Sequence, residues 1–292
     1  MEKVDILLPI NSSFEETRNC IVSILQNTDM DLMNLYLLDE GSQDSRIEEL
    51  MNFYVNKYSN IGLLRKEKQC GLIGNINKGL SMSENDVVII NSDTLVTHSW
   101  LTALRKAAYQ EEIIAAVNPM SNFGFISGIP TSNSQINDLF TFEEYTDAFN
   151  KSKQHGVVDA PVLLGFCMYL KRNALNSVGI FDESFKRGYG DETDWFLRAK
   201  QKGFKLVITK DTYLHIMGGT SRGLEKEKLK CESAQILFDR YPDLNVSINR
   251  FLKGKPLKDV RKQMMKNLDF LRQKTPKMLK LKMLKHYISN IF

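Results

Sequence analysis

Residues 86–94 read Asp86-Val-Val-Ile-Ile-Asn-Ser-Asp-Thr94, and this stretch decides the fold class of the chain. Four β-branched apolar residues in a row are typical of a strand buried within a parallel sheet. The run stops at Asn91, Ser92 and Asp93, which places a carboxylate at the carboxyl edge of the sheet, where ligands bind in open α/β folds. With help from phosphate oxygens and water, such a carboxylate can hold a hard divalent cation. A strand followed by an ordinary Asx turn is the alternative, and this stretch alone does not choose between the two.

The rest of the chain predicts strands that alternate with helices. Strands are expected at 4–10, 35–38, 61–64, 87–90, 113–117 and 205–208, and helices after a cap at Ser12 or Ser13 and at 46–58, 73–81, 100–109, 174–179 and 194–202. This alternation predicts right-handed βαβ units and a mostly parallel sheet. Residues 118–135 are rich in Asn, Ser, Gly and Pro, and we expect a long loop of the kind that forms lids or binding loops.

Several classes of protein are excluded by what the sequence lacks. It has neither a G-x-G-x-x-G fingerprint nor a Walker lysine loop, so it is unlike dinucleotide dehydrogenases and P-loop enzymes. No apolar run approaches the length of a membrane span, and Met1 leads directly into a strand, so neither a spanning helix nor a secretory signal is expected. The cysteines show no metal-binding spacing and predict free, buried thiols in a cytoplasmic protein; they are Cys20, Cys70, Cys167 and Cys231.

The charge of the chain is unevenly distributed. Between residues 253 and 285 there are twelve Lys or Arg against two Asp, while the remainder holds 27 basic and 33 acidic residues. A mildly acidic body with a strongly basic tail indicates a separate role for the tail. We therefore predict a catalytic domain at 1–222 and a basic helical extension at 223–292.

Apolar residues recur at helical spacing in the tail, and the pattern continues over 277–287. A basic amphipathic helix suits an anionic membrane surface, which residues 256–292 would contact from the cytoplasmic side. The alternative is an appendage that packs on the catalytic domain or on a second copy of the chain, and the sequence leaves both open. Nucleic acid is disfavoured, since few aromatic residues are available for stacking. The apolar positions are Val260, Met264, Met265, Leu268 and Leu271.

A second polar cluster reads Arg187-Gly-Tyr-Gly-Asp-Glu-Thr-Asp-Trp195. Asp191, Glu192 and Asp194 crowd the predicted start of a helix, where one carboxylate would serve as a cap. Three carboxylates exceed what a cap requires. Like charges held together raise one another's pKa, which suits a proton acceptor that works near neutral pH.

A third cluster reads Tyr213-Leu-His-Ile-Met-Gly-Gly-Thr-Ser221. His215 follows a predicted strand and precedes small residues that would let phosphate groups approach backbone N–H donors. A single His is a weak signal by itself, and its position relative to the other clusters is what gives it meaning.

Taken in order, these clusters resemble the family 2 glycosyltransferases, an inverting family with the GT-A nucleotide-sugar fold, over about residues 3–222. The resemblance implies an α/β, Rossmann-like domain with a mostly parallel central sheet and, in this chain, a C-terminal basic helical extension. Pro9 with Asn11 looks like the family's P-x-x-N edge. The turn that begins at Asp39 is similar to its D-D-G-S-x-D turn, whose first aspartate reads the nucleotide base. The segment from Gly71, which includes Asn77, looks like its N-x-G helix beneath the nucleotide.

The remaining motifs supply the family's chemistry. Asn91-Ser-Asp93 takes the place of the D-x-D metal motif, with Asn91 instead of the first aspartate, Ser92 at the nucleotide and Asp93 as the metal carboxylate. His215 matches the late metal or diphosphate ligand, with Gly219 and Ser221 beside the phosphates. Asp191-Glu192 falls where the family carries E-D, whose second residue is the catalytic base. This register indicates Glu192, but the two acids are transposed here, so Asp191 remains a rival.

The resemblance implies transfer of a sugar from a nucleoside diphosphate sugar, with UDP favoured and dTDP as a second option, assisted by Mn2+ or Mg2+. The acceptor would be a hydroxyl of a saccharide, a glycoprotein or a lipid-linked molecule, and self-association would use the C-terminal helices. Two alternatives stay open. A nucleotidyltransferase would normally show a glycine-rich basic loop after the first strand, which residues 10–14 do not form. A non-catalytic sugar-nucleotide-binding module would explain the missing first aspartate, but not the retention of Asp93, His215 and the acidic pair.

Overall fold

The structure is a computed structural model that describes residues 2–11, 13–39, 41–65, 71–129, 140–185, 190–218 and 224–274. Its strands are β1 (Val4–Ile10), β2 (Met33–Asp39), β3 (Ile61–Arg65), β4 (Val87–Ile90), β5 (Thr94–Leu95), β6 (Ile114–Ser121), β7 (Val157–Asp159), β8 (Cys167–Leu170) and β9 (Lys205–Ile216). Its helices are α1 (Phe14–Asn27), α2 (Ser45–Lys57), α3 (Gly71–Met82), α4 (Trp100–Ala108), α5 (Phe142–Asn150), α6 (Arg172–Val178), α7 (Asp191–Gln201), α8 (Leu224–Arg240), α9 (Leu244–Gly254) and α10 (Lys258–Lys274). A short 3-10 turn, Met30–Leu32, precedes β2.

The strands form one sheet in the order β3-β2-β1-β4-β8-β6-β9-β5, and β7 pairs with β9. The β1–β2, β2–β3, β1–β4 and β6–β9 pairs are parallel, whereas β8 runs antiparallel to both β4 and β6. The predicted α/β architecture is therefore confirmed. The carboxyl ends of β1, β2 and β4 meet at one edge of the sheet, which is where open α/β folds bind their ligands.

Strand β1 shows why the helices cover both faces of the sheet. Its residues alternate between two apolar cores, with Ile6 and Leu8 on one face and Leu7 on the other. The first core is covered by α1, α2 and α4, and the second by α3, α5, α6 and α7. Helix α1 begins with a capping box in which the Ser13 hydroxyl accepts from the Glu16 backbone N–H and the Glu16 carboxylate accepts from Ser13, so the N-cap is Ser13.

The C-terminal helices pack on the second face of the sheet. Val260, Met264 and Leu268 of α10 are at most 1% exposed and share the core with α5 and α7. Of the two alternatives for this part of the tail, the structure therefore shows packing on the catalytic domain. The pattern at 277–287 lies outside the described residues. Within the described part of the chain, no helix combines the length and apolar composition that a membrane span needs.

Three sequence predictions are corrected by the structure, and one helix was not predicted. Strand β6 runs to Ser121, so the first part of the predicted loop at 118–135 is buried strand. Residues 130–139 of that loop lie outside the described ranges. Helix α5 was not predicted, because its apolar positions are few and lie beside a polar segment. Helix α7 begins at Asp191 rather than Asp194, and Cys231 is exposed rather than buried.

Candidate active site

The segments that follow β1 and β4 are joined directly at the carboxyl edge. The Asn11 backbone N–H donates to the Ser92 hydroxyl over 3.3 Å, and that hydroxyl lies 3.1 Å from Asn11 Oδ1. Pro9 is buried opposite Leu38 of β2, one residue before β1 ends. The structure thus brings together two motifs that are 81 residues apart in the sequence.

Asp39 is the last residue of β2 and is fully buried. Its Oδ1 accepts hydrogen bonds from the backbone N–H groups of Gly41 and Ser42 and from the Ser42 hydroxyl, and its Oδ2 accepts from Arg65 Nε over 3.1 Å. Burial acts to raise the pKa of Asp39, but these donors outweigh it, so the pKa lies below its usual value. The carboxylate is therefore ionised and held in one orientation at the edge. Contact with a nucleotide base stays a prediction.

Asp93 lies between β4 and β5 with a mostly covered side chain. Burial, followed by the nearby charge of Glu16, raises the pKa of Asp93 to about 6. A β-carbon at Gly218 would lie 2.6 Å from Asp93 Oδ2, so only glycine leaves room for the carboxylate in this position. No ion pair between described residues involves Asp93. A bound cation would supply the missing positive charge.

Strand pairing brings His215 to the same place. Leu95 of β5 lies opposite His215 of β9 in an antiparallel register, and the Met217 backbone N–H donates to the Asp93 carbonyl over 2.8 Å. His215 and Asp93 are therefore diagonal neighbours across one short ladder. A third side chain fixes β9 from its other side, because the Asn122 amide donates to the Ile216 carbonyl and accepts from its N–H.

His215 is held as a neutral imidazole. Its Nδ1 lies 2.9 Å from the Tyr213 hydroxyl, and the rings of Phe142 and Tyr145 pack against it. Burial lowers the pKa of His215 to about 4, although the charge of Glu143 acts in the opposite direction. A neutral imidazole with one nitrogen fixed by a hydrogen bond is the usual state of a metal-ligating histidine.

The donor set suits a shared cation rather than a closed protein site. In the described ranges, no three His, Cys, Asp or Glu side chains form a group that could hold a metal. Asp93 and His215 would contribute two ligands, which leaves positions for phosphate oxygens and water, as Mg2+ and Mn2+ sites beside nucleotides require.

The acidic pair occupies the first turn of α7. The N-cap is Gly190, which has φ 91° and makes no side-chain cap bond, so neither Asp191 nor Asp194 caps the helix. Asp194 is instead paired with Arg198, Arg240 and the Tyr241 hydroxyl. Of the three carboxylates predicted here, Asp194 is thus occupied structurally, and Asp191 and Glu192 remain for chemistry.

The Glu192 carboxylate lies over Gly165. A β-carbon at position 165 would be 3.1 Å from Glu192 Oε1, and the next residue, Phe166, accepts the Asn91 backbone N–H over 2.8 Å. The buried Asn118 holds this loop, because its amide bonds the Leu164 N–H and carbonyl. The acidic pair and the Asp93 edge therefore border the same stretch of backbone.

The surroundings of Asp191 and Glu192 raise the pKa of both carboxyl groups. Burial raises the pKa of Glu192 well above its usual value, and the Asp191 charge adds to this. Burial likewise raises the pKa of Asp191. Asp191 Oδ1 is buried without a hydrogen-bond partner within the described structure. Two carboxylates that cannot both ionise easily share a proton, and the ionised member of such a pair can act as a proton acceptor.

The other predicted site residues have different surroundings. Gly71 begins α3. Both amide hydrogens of Asn77 are used by the Phe181 carbonyl and by Glu183, and its oxygen accepts from the Phe181 N–H. These bonds use both amide hydrogens of Asn77 and give it a structural role. Its contact with a nucleotide stays a prediction. Gly219 and Ser221 lie outside the described residues.

The sequence reasoning missed the residues that support this site. Asn118 interrupts an apolar run, and Gly165 and Gly218 precede or follow strands, which are weak signals in one sequence. The charge of Glu16 acts on Asp93, which is distant in the sequence. Asn122 had no signal at all, because its partner at Ile216 is 94 residues away.

Comparison with known proteins identifies the family and the fold of the chain. The sequence profile described as "Glycosyl transferase family 2" matches residues 5–179. The chain is 20% identical over 213 residues to polypeptide N-acetylgalactosaminyltransferase 6 of Bos taurus, an alignment that covers 68% of this chain and 34% of that protein. The chain thus spans about a third of the length of this curated relative.

Two solved structures share the fold. That of GalNAc-T7 with UDP, GalNAc and Mn2+ has a TM-score of 0.64 at 13% identity and covers 91% of this chain and 54% of its own. That of the mannosyltransferase PcManGT from Pyrobaculum calidifontis, in complex with GDP-Man and Mn2+, has a TM-score of 0.62 at 12% identity and covers 99% of this chain and 81% of its own. The predicted GT-A fold is confirmed by these likenesses.

Proposed function

The chain belongs to glycosyl transferase family 2, and from this membership we propose that it transfers a sugar from a nucleoside diphosphate sugar to an acceptor hydroxyl, with inversion at the anomeric carbon. The observation that carries the proposal is the meeting of Asp39, Asp93, His215 and the pair Asp191–Glu192 at one edge of the sheet. Asp39 is held ionised and His215 neutral, and both members of the pair Asp191–Glu192 have raised pKa values.

The donor would bind along the carboxyl ends of β1, β2 and β4. Asp39, fixed by Arg65 and the turn at Ser42, would face the base. The linked pair Asn11 and Ser92 would line the ribose and phosphates. UDP is the favoured nucleotide, by the resemblance of the Asp39 turn to the family motif, and a dTDP-sugar is the second option.

Asp93 and His215 would hold a divalent cation, Mn2+ or Mg2+, between them and the diphosphate. When bound, such a cation supplies positive charge against the leaving diphosphate. The chain contributes the Asp93 carboxylate, whose pKa is raised, and a neutral imidazole whose Nδ1 lies 2.9 Å from the Tyr213 hydroxyl.

Glu192 is the proposed base, with Asp191 as its rival. The base would take the proton of the acceptor hydroxyl while the hydroxyl oxygen forms a bond to the anomeric carbon and the bond to the diphosphate oxygen breaks. Attack from the face opposite the leaving group inverts that carbon. Proton transfer by a positioned group is worth about 100-fold to 10,000-fold in rate.

The acceptor is proposed to be a saccharide, a glycoprotein or a lipid-linked hydroxyl. We keep a cytoplasmic location, peripheral to a membrane through residues 256–292, as part of the proposal. The apolar face of α10 is already buried in the core, so such binding would rely on basic side chains such as Lys262 and Lys266 and on the residues after Lys274. Sedimentation with anionic vesicles, with and without residues 275–292, tests it: we expect weaker binding without these residues, and no binding of the full chain would contradict it.

The activity itself is tested by release of UDP from UDP-glucose, UDP-galactose and UDP-N-acetylhexosamines with Mn2+, with water as the acceptor. We expect release with at least one of them, and its loss on chelation of the metal. Binding of UDP without release from any sugar would favour the non-catalytic module. Release of diphosphate from a nucleoside triphosphate and a sugar phosphate would favour the nucleotidyltransferase.

A further inference from the structure

The Asp194 carboxylate accepts hydrogen bonds from two parts of the chain that are distant from each other in sequence. It lies two residues after Glu192, and its side chain is 1% exposed. Its Oδ2 accepts from Arg198 Nε over 2.8 Å within α7. Its Oδ1 accepts from an Arg240 guanidinium N–H over 3.0 Å and from the Tyr241 hydroxyl over 2.8 Å, both at the end of α8. The C-terminal extension is therefore hydrogen-bonded to the helix that carries the proposed base.

The same extension also reaches the segment before that helix. A β-carbon at Gly190, the N-cap of α7, would lie 3.1 Å from Leu237 Cδ1. The Arg240 guanidinium lies 5.3 Å above the Phe185 ring and donates to Asp182 over 2.6 Å. Helix α8 thus contacts described residues on both sides of 186–189, including the N-cap of α7.

The charges around Asp194 act on the carboxylate pair. The Asp194 charge contributes to raising the pKa of Asp191. The titratable and charged groups that face Asp194 in the described structure are Arg198 on its own helix and Arg240 and Tyr241 from the extension. Asp182 faces Arg240 from the other side. Two guanidinium groups therefore offset the Asp194 charge, and one of them comes from outside the predicted catalytic domain.

We propose that Arg240 and Tyr241 are positioning residues for the pair Asp191–Glu192, which makes the C-terminal extension part of the catalytic unit. They touch no substrate and act through Asp194, which sets the orientation and the electrostatic surroundings of the first turn of α7. This inference rests on the proposed role of the pair as the base of glycosyl transfer.

The test uses the full chain, Mn2+ and the UDP-sugar that the wild type hydrolyses fastest. For Arg240→Gln we expect the acidic limb of the kcat/KM profile to move to higher pH by about half a pH unit, because a partly screened positive charge is lost near the pair. The rate therefore falls more at low pH than at high pH. Arg240→Lys keeps the charge and should keep the wild-type limb.

A second variant and a double variant separate positioning from general stability. Tyr241→Phe removes one hydroxyl. It should move the acidic limb to higher pH by a smaller amount than Arg240→Gln does, with KM unchanged. Adding Asp194→Asn to Arg240→Gln removes the charge that Arg240 offsets, so the limb should return toward that of the wild type. Arg250→Gln, an exposed arginine of the same extension, is the matched control and should behave as the wild type.

A folded Arg240→Gln variant with the wild-type profile overturns the inference alone. An equal loss of kcat/KM at every pH, if the added Asp194→Asn substitution does not relieve it, also overturns the inference. If Arg240→Gln fails to fold, an unshifted limb in Tyr241→Phe overturns the inference in its place. A wild type that releases no UDP from any sugar overturns the proposed function, which is a different observation from any result on the variants.

Discussion

Gly218 and Asp93 are packed so closely that a β-carbon at position 218 would lie 2.6 Å from Asp93 Oδ2. Real β-carbons do not approach carboxylate oxygens at that distance, so the carboxylate occupies space that only a glycine leaves open. The contact joins the end of β9 to the segment after β4. Gly218, which is not one of the predicted site residues, therefore restricts the position of Asp93, the proposed metal ligand.

Gly218→Ala should displace the Asp93 carboxylate and weaken Mn2+ binding in the presence of UDP. Residues that orient metal ligands typically contribute about 10-fold to 100-fold in affinity, and we expect a loss in that range by calorimetric titration. Gly254→Ala is the matched control, because a β-carbon there meets nothing within 4 Å. Wild-type Mn2+ affinity in Gly218→Ala would contradict the placement of the metal at Asp93.

Glu192→Gln and Asp191→Asn should separate the two candidates for the base. The true base should lose at least about 100-fold in UDP release, because proton transfer at the acceptor is lost. The other variant should stay active with a shifted pH profile, since a neighbouring charge has been removed. Circular dichroism checks that both fold. Near-normal rates in both variants would remove the pair from the mechanism.

Asp93→Asn should stabilise the metal-free protein relative to the wild type as the pH rises. The folded-state pKa of Asp93 is raised to about 6 from 3.8, so the unfolded chain ionises first and stability is lost as the pH rises between these values. The advantage of the variant in free energy of unfolding should grow by about 1 to 2 kcal/mol between about pH 5 and about pH 7.5. Urea unfolding measures it. A difference that does not change with pH would contradict burial of the Asp93 charge.

Arg261→Ala should destabilise the whole fold rather than the tail alone. Arg261 of α10 donates to the carbonyls of Phe125, Ile126 and Gly128, and burial lowers its pKa to about 10. The substitution removes the hydrogen-bond donor of those carbonyls, and we expect the free energy of unfolding to fall by about 2 to 4 kcal/mol.

Lys262→Ala, the exposed neighbour of Arg261 on the same helix, is the control and should change the free energy of unfolding by less than about 0.5 kcal/mol. A single cooperative transition that shifts only in Arg261→Ala would support one folding unit. A separate early transition of the C-terminal helices would instead support an independent extension.

The order of elements in the first half followed from the sequence. Residues 87–90 were predicted to be a buried strand and form β4, fully buried. Ser13, one of the two predicted cap residues, is the N-cap of α1. These features are local, because alternation of apolar residues and capping side chains depend on neighbours a few residues away.

The roles of the acidic residues after residue 190 could not be read in the same way. Asp191, Glu192 and Asp194 look alike in sequence, yet only Asp194 is neutralised by Arg198, Arg240 and Tyr241. Arg198 is close in sequence on α7, but Arg240 and Tyr241, at the end of α8, are 46 and 47 residues later. The same holds for Val260 and Met264, whose amphipathic pattern suits a membrane or a core equally well until the core is built.

By itself the sequence determined the α/β class, the family and the candidate residues Asp39, Asp93 and His215, because short motifs carry those signals within a few positions. The tertiary structure decided which carboxylates stay available for chemistry and which glycines make room for them. It also decided that α10 covers the sheet rather than standing apart. Burial and long-range pairing set the ionisation of Asp93 and Glu192, and neither exists before the chain has folded.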